Sequence, residues 1–296
     1  MYLASAIIVT KNRRDDLCRA IDSLLGQSIL CQIIVIDDGS TDGTQELVTD
    51  KFPAVSYLRH ERSAGYIVRR NEGIQFASSE IIFSIDDDAT MPDATTIEST
   101  LSEFDDHRIG AIAIPFIDVL KGPEVKQLAE DPTISCATAS FIGTAHALRR
   151  KVFIDLGGYR DFFVHQGEEG DYCIRMLDAG YFTKLGSAPP IHHFESPLRD
   201  TTRMNFYSRR NDILFPWCNV PIRYLGAYWI TTTLNGFRHG IRIRRLYITV
   251  RGLLSGYATI FSHWKDRRPV SIRTYQTFRM LKRKGAIPIK ELTNLI

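Results

Sequence analysis

Cysteine is scarce in this 296-residue sequence, and Cys18, Cys31, Cys136, Cys173 and Cys218 stand apart with no C-x-x-C pair among them. That excludes zinc ribbons, thioredoxin-like redox chemistry and a disulfide-stapled scaffold, and makes a reducing cytoplasm the simplest home. Glycine is missing after the first apolar run, Ala6-Ile7-Ile8-Val9, which leads into Thr10-Lys11-Asn12-Arg13-Arg14. A dinucleotide-binding fold would need G-x-G-x-x-G at that turn. No compelling nucleophile motif occurs, so no side chain is expected to form a covalent intermediate. Long apolar runs are also lacking. The longest, Leu246 to Trp264, is broken by Arg251, Ser255, Thr259 and Ser262, short of the roughly 18 unbroken apolar residues that a spanning helix needs.

Charge is plentiful but unevenly placed. A net charge of +3 hides the fact that residues 203–296 carry 18 basic and only 3 acidic side chains, while residues 1–202 carry 19 and 31. This polarity suggests an acidic catalytic domain over residues 1–204 and a basic helical region over residues 205–296 that seeks anionic surfaces. On a helical wheel Ile243, Leu246, Tyr247, Val250 and Leu254 share one face, with Arg238, Arg242, Arg244, Arg245 and Arg251 around the other. An interfacial helix on the inner face of the cell membrane is the expectation, and nucleic acid is not an expected partner.

From Ala6 to Ile114, β-branched runs alternate with helical patterns, the signature of βαβ units on a parallel sheet. The runs are residues 6–10, 32–37, 55–59, 81–85 and 109–114. Asp15 or Asp16 is placed to cap the first helix, Asp171 to start a helix over Tyr172 to Ala179, and Pro216, Pro221 and Pro269 to break the C-terminal helices. Polar loops then fall at the C-terminal ends of the strands, where open α/β sheets bind ligands.

Two acidic runs occupy those ends. Asp37-Asp38-Gly39-Ser40-Thr41-Asp42 reads either as a turn or as a place where a carboxylate accepts hydrogen bonds from a base or a ribose. Asp86-Asp87-Asp88 follows an apolar strand, and three adjacent carboxylates repel unless a cation or donors compensate. In extended backbone Asp86 and Asp88 point to the same side, so both can face one Mg²⁺ or Mn²⁺.

In order along the chain, Val9-Thr10-Lys11-Asn12-Arg13, the Asp37 run, Arg70-Asn71-Glu72-Gly73, the Asp86 triplet, Gly157-Gly158-Tyr159, Glu168-Glu169-Gly170-Asp171, Arg175 and Ile191-His192-His193 resemble family 2 glycosyltransferases of the GT-A fold. The resemblance covers roughly residues 4–195. It implies a Rossmann-like α/β sheet with helices on both faces, followed here by the mainly helical C-terminal region. It also implies a nucleotide-sugar donor, with Thr10 and Asp38 at the base, Arg70 beside the base or phosphates, and Asp87 facing the ribose or the loop. Asp86 and Asp88 would form the D-x-D motif for Mn²⁺ or Mg²⁺, with His192 favoured over His193 to complete it. Glu169, with Glu168 as the other candidate, would be the general base, though the family usually has Asp at that position. Arg210, in Arg209-Arg210-Asn211, would steady the diphosphate. The small residues of Phe141-Ile142-Gly143-Thr144-Ala145 would let the sugars approach the backbone.

The implied reaction is an inverting transfer from a UDP-sugar, or a dTDP-sugar, to a hydroxyl of a glycan or lipid-linked acceptor in polysaccharide or glycoconjugate synthesis. The alternatives are an inactive sugar-nucleotide-binding scaffold, or a nucleotidyltransferase that shares the architecture but would begin with a glycine-rich loop.

Overall fold

The computed structural model describes residues 2–131, 133–195 and 200–293. The first half alternates as the sequence pattern predicts: β1 (Ala4–Thr10), α1 (Arg14–Leu25), β2 (Cys31–Asp37), α2 (Thr44–Lys51), β3 (Ser56–Arg59), α3 (Tyr66–Phe76) and β4 (Ile81–Asp86). Then come β5 (Ala89–Thr90), α4 (Thr96–Ser102), β6 (Ile109–Ala113), β7 (Phe116–Asp118), β8 (Val125–Lys126), β9 (Cys136–Thr138), β10 (Ala145–Arg149) and α5 (Arg150–Asp155). The remainder is α6 (Glu168–Asp178), β11 (Phe182–Leu185), β12 (Ile191–His193), α7 (Thr201–Asn219), α8 (Ile222–Arg242), α9 (Leu246–Ser262), α10 (Ile272–Lys284), β13 (Ala286–Pro288) and α11 (Ile289–Thr293).

Among the described residues the main sheet runs β13-β9-β11-β6-β10-β4-β1-β2-β3. Strands β4, β1, β2 and β3 are parallel, and β10 enters antiparallel between β4 and β6. Ile7, Ile8, Ile34, Val35, Ile36, Ile82 and Phe83 are buried almost completely, because parallel strands covered by helices on both faces have no polar side to show. A second, small sheet, β5-β12-β7-β8, stands at the C-terminal edge of β4 and carries the two histidines.

Several local expectations are corrected. Helix α1 begins at Arg14, before the proposed caps Asp15 and Asp16, and Asp42 from the following loop accepts its first amide at 3.1 Å. Helix α6 begins at Glu168, so Asp171 lies in its first turn and is not its cap. Pro216 sits inside α7, close enough to its end that the helix closes only one turn later with Val220 N–H donating to the Pro216 carbonyl. The wheel drawn over residues 238–254 is interrupted, because the chain turns at Ile243–Arg245, where Arg244 has φ 56°.

Nor does the region after residue 204 stand apart. Strand β13 adds to the main sheet beside β9, α10 packs on α6, and Asn211 on α7 donates to the carbonyls of Phe163, His165 and Gln166. No described helix is long and apolar enough to cross a membrane.

Candidate active site

Strand β4 delivers Asp86 at its last position and the chain turns at once, so Asp86 and Asp88 project towards the small sheet. There β12 runs parallel to β7 with His193 opposite Asp118. His193 Nε2 lies 3.3 Å from Asp88 Oδ1 and 3.9 Å from Asp86 Oδ2, and the three residues offer ligand atoms within 4.8 Å of one another. His193 therefore joins the carboxylates, which corrects the expectation that favoured His192. Neighbouring residues of a strand face opposite ways, and the register on β7 turns the second imidazole inward.

Two observations test the fit to a hard divalent cation. His193 Nε2 is buried and makes no hydrogen bond, so it has a free acceptor lone pair in its neutral form. Asp118 Oδ1 takes the other ring nitrogen, Nδ1, at 2.5 Å, the carboxylate–histidine arrangement that orients a metal-binding imidazole. Two carboxylates and one imidazole, a donor set that leaves further coordination positions to waters or phosphate oxygens, suit Mn²⁺ or Mg²⁺. Asp118 escaped the sequence reading because nothing local marks it, and only the β7–β12 pairing brings it to His193.

Two guanidinium groups serve the acids. Arg13 Nη1 is 2.5 Å from Asp88 Oδ2 and 3.4 Å from Asp87 Oδ1, while Arg70 Nη2 donates to Asp86 Oδ1. Burial opposes ionisation of Asp88, but His193 and Arg13 outweigh it and hold the carboxyl down at about 2. Asp87 goes the other way: burial, with repulsion from Asp88 and Asp86, pushes it up to about 7 against the pull of Arg13. Thr10 donates its hydroxyl to Asp87 Oδ2 at 2.8 Å.

Asp38 is committed elsewhere. Its carboxylate accepts from Ser63 Oγ (2.5 Å), Ala64 N (2.8 Å), Gly65 N (2.9 Å) and Arg69 Nε (2.7 Å). Burial works against the charge, but these donors keep it below the ordinary carboxylate range. Four donors fill the lone pairs of a carboxylate, so in this structure Asp38 braces the loop before α3 and has no acceptor left for a base. Arg210 likewise leaves the expected set: it is buried, and Nη1 donates to the Phe162 carbonyl at 2.7 Å and to Asn211 Oδ1 at 3.0 Å.

The acidic segment at the start of α6 meets the site from the far side. Gly167, with φ 89°, makes the turn into the helix, a conformation that suits glycine. Glu168 is fully buried, with no hydrogen bond to either oxygen and Arg70 Nη1 3.7 Å away. Glu169 is half-buried, and its Oε1 and Arg70 Nη1 lie so near Gly143 that a β-carbon there would stand 2.7 and 2.9 Å from them. Burial raises both carboxyls above the ordinary glutamate value; the Glu169 charge adds to the effect on Glu168, and Asp86 to that on Glu169. Arg70, which touches Asp86 and approaches both glutamates, links the acidic triplet to this segment.

A GT-A sheet with a D-x-D–histidine cluster at its strand ends points to a class of enzymes, the glycosyltransferases. The chain belongs to that class by family: the sequence model described as Glycosyl transferase family 2 matches residues 5–157. It is 28% identical over 222 residues to the pre-mycofactocin glycosyltransferase of Mycobacterium tuberculosis, a match covering 69% of this chain and 45% of the relative. The chain thus spans about half the length of that relative. Among solved structures, S. aureus TarS 1–349 in complex with UDP-GlcNAc is similar with a TM-score of 0.63 at 14% identity, covering 95% of this chain and 92% of the other. The mannosyltransferase PcManGT of Pyrobaculum calidifontis, in complex with GDP-Man and Mn²⁺, gives 0.57 at 19% identity, covering 87% and 75%. At these identities the two structures establish the fold alone.

Proposed function

We propose that this chain transfers a sugar, with inversion, from a nucleoside-diphosphate sugar to a hydroxyl of a glycan or lipid-linked acceptor in glycoconjugate or polysaccharide synthesis. The observation that carries the reading is the convergence of Asp86, Asp88 and His193, with Arg70 tying them to the half-buried Glu169. A UDP-sugar is the first choice of donor, supported by the UDP-GlcNAc complex of the structurally similar S. aureus TarS; a dTDP-sugar is the second.

Asp86, Asp88 and His193 would hold Mn²⁺ or Mg²⁺, which when bound neutralises charge on the departing diphosphate. Glu169 accepts the proton of the acceptor hydroxyl as that oxygen attacks the anomeric carbon. Its burial suits the role, since a carboxylate raised towards neutrality is a stronger base. Arg13 lies against Asp87 and Asp88 and Arg70 against Asp86, and the two guanidinium groups offset part of the repulsion among the three carboxylates. Either guanidinium group would suit a phosphate oxygen of a bound donor.

The test is a panel of UDP-, dTDP- and GDP-sugars, measured calorimetrically and by donor hydrolysis with Mn²⁺, with Mg²⁺ and with chelator. One donor should bind only with the metal, and Asp88→Ala should abolish hydrolysis while its thermal unfolding stays cooperative. Full activity of Asp88→Ala in excess chelator, or no metal-dependent binding of any donor, sinks the reading.

A further inference from the structure

The helical hairpin α8–α9 contains no aspartate or glutamate between Ile222 and Ser262, and six arginines. Its two helices run antiparallel along a small-residue seam in which Gly240 meets Thr249, Gly236 meets Leu253, and Thr233 Oγ1 lies 2.9 Å from Tyr257 Oη. At about 100° per residue, Ile230, Leu234 and Ile241 lie roughly a quarter turn from the seam on α8. Tyr247, Leu254 and Phe261 lie roughly a quarter turn from it on α9. Because the helices are antiparallel, the two quarter turns bring these six side chains to the same side of the hairpin. The other side is taken by α7, which packs on Gly252 and Gly256 through the Phe206 and Arg210 carbonyls. All six apolar side chains are exposed, from 53% at Leu234 to 82% at Phe261. Arg238, Arg242 and Arg251 are exposed beside them, the last over the ring of Tyr247.

We propose that this face of the α8–α9 hairpin docks flat on an anionic lipid bilayer, with the six apolar side chains entering the interface and the arginines meeting the headgroups. An exposed apolar stripe flanked by arginine and free of acids is the chemistry of an interfacial helix. A second copy of the chain is the poorer occupant, because a two-fold contact would set arginines against arginines with no acid on the hairpin to pair them. The surface extends beyond the single helix expected from sequence, drawing half of its apolar residues from α8. It is independent of the reading of the active site, since vesicle binding needs neither donor nor metal.

The experiment uses the full chain with vesicles of phosphatidylcholine alone and of phosphatidylcholine containing about one third phosphatidylglycerol. Flotation should carry the protein with the anionic vesicles only. Leu234→Glu/Phe261→Glu should lower the partition coefficient about tenfold or more, and Arg242→Glu/Arg251→Glu should lower it and flatten its salt dependence. A Tyr247→Trp probe should shift its emission to the blue on mixing and be quenched by brominated lipid. Thermal unfolding of each variant checks the fold, with Leu234→Ser/Phe261→Ser as the milder pair should the glutamates unfold it. Equal flotation with both vesicle types, wild-type partition by the apolar-face variants, or a concentration-dependent dimer dispersed by Leu234→Glu would each overturn the proposal.

Discussion

Glu169 and Glu168 are adjacent and chemically alike, yet one is half-buried beside Gly143 and the other sealed in. Glu169→Gln should lower turnover by about 10²–10⁴ with donor affinity kept, because a base acts in the transition state. Burial raises its pKa, so the acidic limb of the pH–rate profile should lie above the roughly 4.3 of free glutamate. Activity falls as pH drops through that limb, and the residual rate of Glu169→Gln should show no such limb. Glu168 should matter through stability instead. Its folded pKa is raised by burial and by Glu169, so its contribution to stability is complete below the unfolded value and is lost as pH rises through the folded one. Urea midpoints across that range should fall with pH in the wild type and fall less in Glu168→Gln; identical slopes would assign the burial cost to another group.

Asp118 belongs to the same scale. Asp118→Asn should weaken Mn²⁺ binding by about 10–100-fold, the usual effect of losing the carboxylate behind a metal-binding imidazole. Electron paramagnetic resonance of free Mn²⁺ measures that directly, and an unchanged affinity would leave Asp118 with only a structural part. The histidine pair shows where sequence runs out. A doublet after two prolines announces a site, but the choice between His192 and His193 depends on the pairing of β12 with β7, made across more than seventy residues.

At the scale of elements, α6 depends on a buried lock. Asp171 is fully buried and meets Arg160, Arg175 (3.1 Å) and Asn219 Nδ2 (2.7 Å). Asp171→Ala would leave two guanidinium groups facing each other in a nearly dry site, and a loss of about 3–5 kcal/mol in urea unfolding is expected. A loss below about 1 kcal/mol would mean that water replaces the carboxylate. The βαβ elements were legible from alternation, since five β-branched runs became β1, β2, β3, β4 and β6 within a residue or two. Strand β10 was less so, because its antiparallel place between β4 and β6 depends on a long connection whose path no local pattern records. The Asp42 cap of α1 was hidden for the same reason, its partner lying 28 residues away.

For the whole molecule, the charge asymmetry was plain in the sequence, but it did not mark a separable tail. The residues after 204 supply the edge strand β13 and the α7 clamp on the loop before Glu168. A chain cut after residue 204 should therefore fail to give a cooperative thermal transition, and Asn211→Ala should reduce turnover more than donor affinity by loosening the three carbonyls it holds. A truncated chain that melts cooperatively and hydrolyses donor at the full rate would restore the two-domain picture.

The glycines where α9 meets α7 have a mechanical consequence. Gly256 lies so close to α7 that a β-carbon there would come within 2.7 Å of the Arg210 carbonyl oxygen, while Arg210 and Asn211 grip the carbonyls of Phe162, Phe163, His165 and Gln166. Backbone thus rests on backbone between α9 and α7, and the Arg210 and Asn211 side chains carry the link on to the turn that presents Glu169. A tilt of the hairpin would therefore press directly on α7 and reach the turn through four side-chain hydrogen bonds.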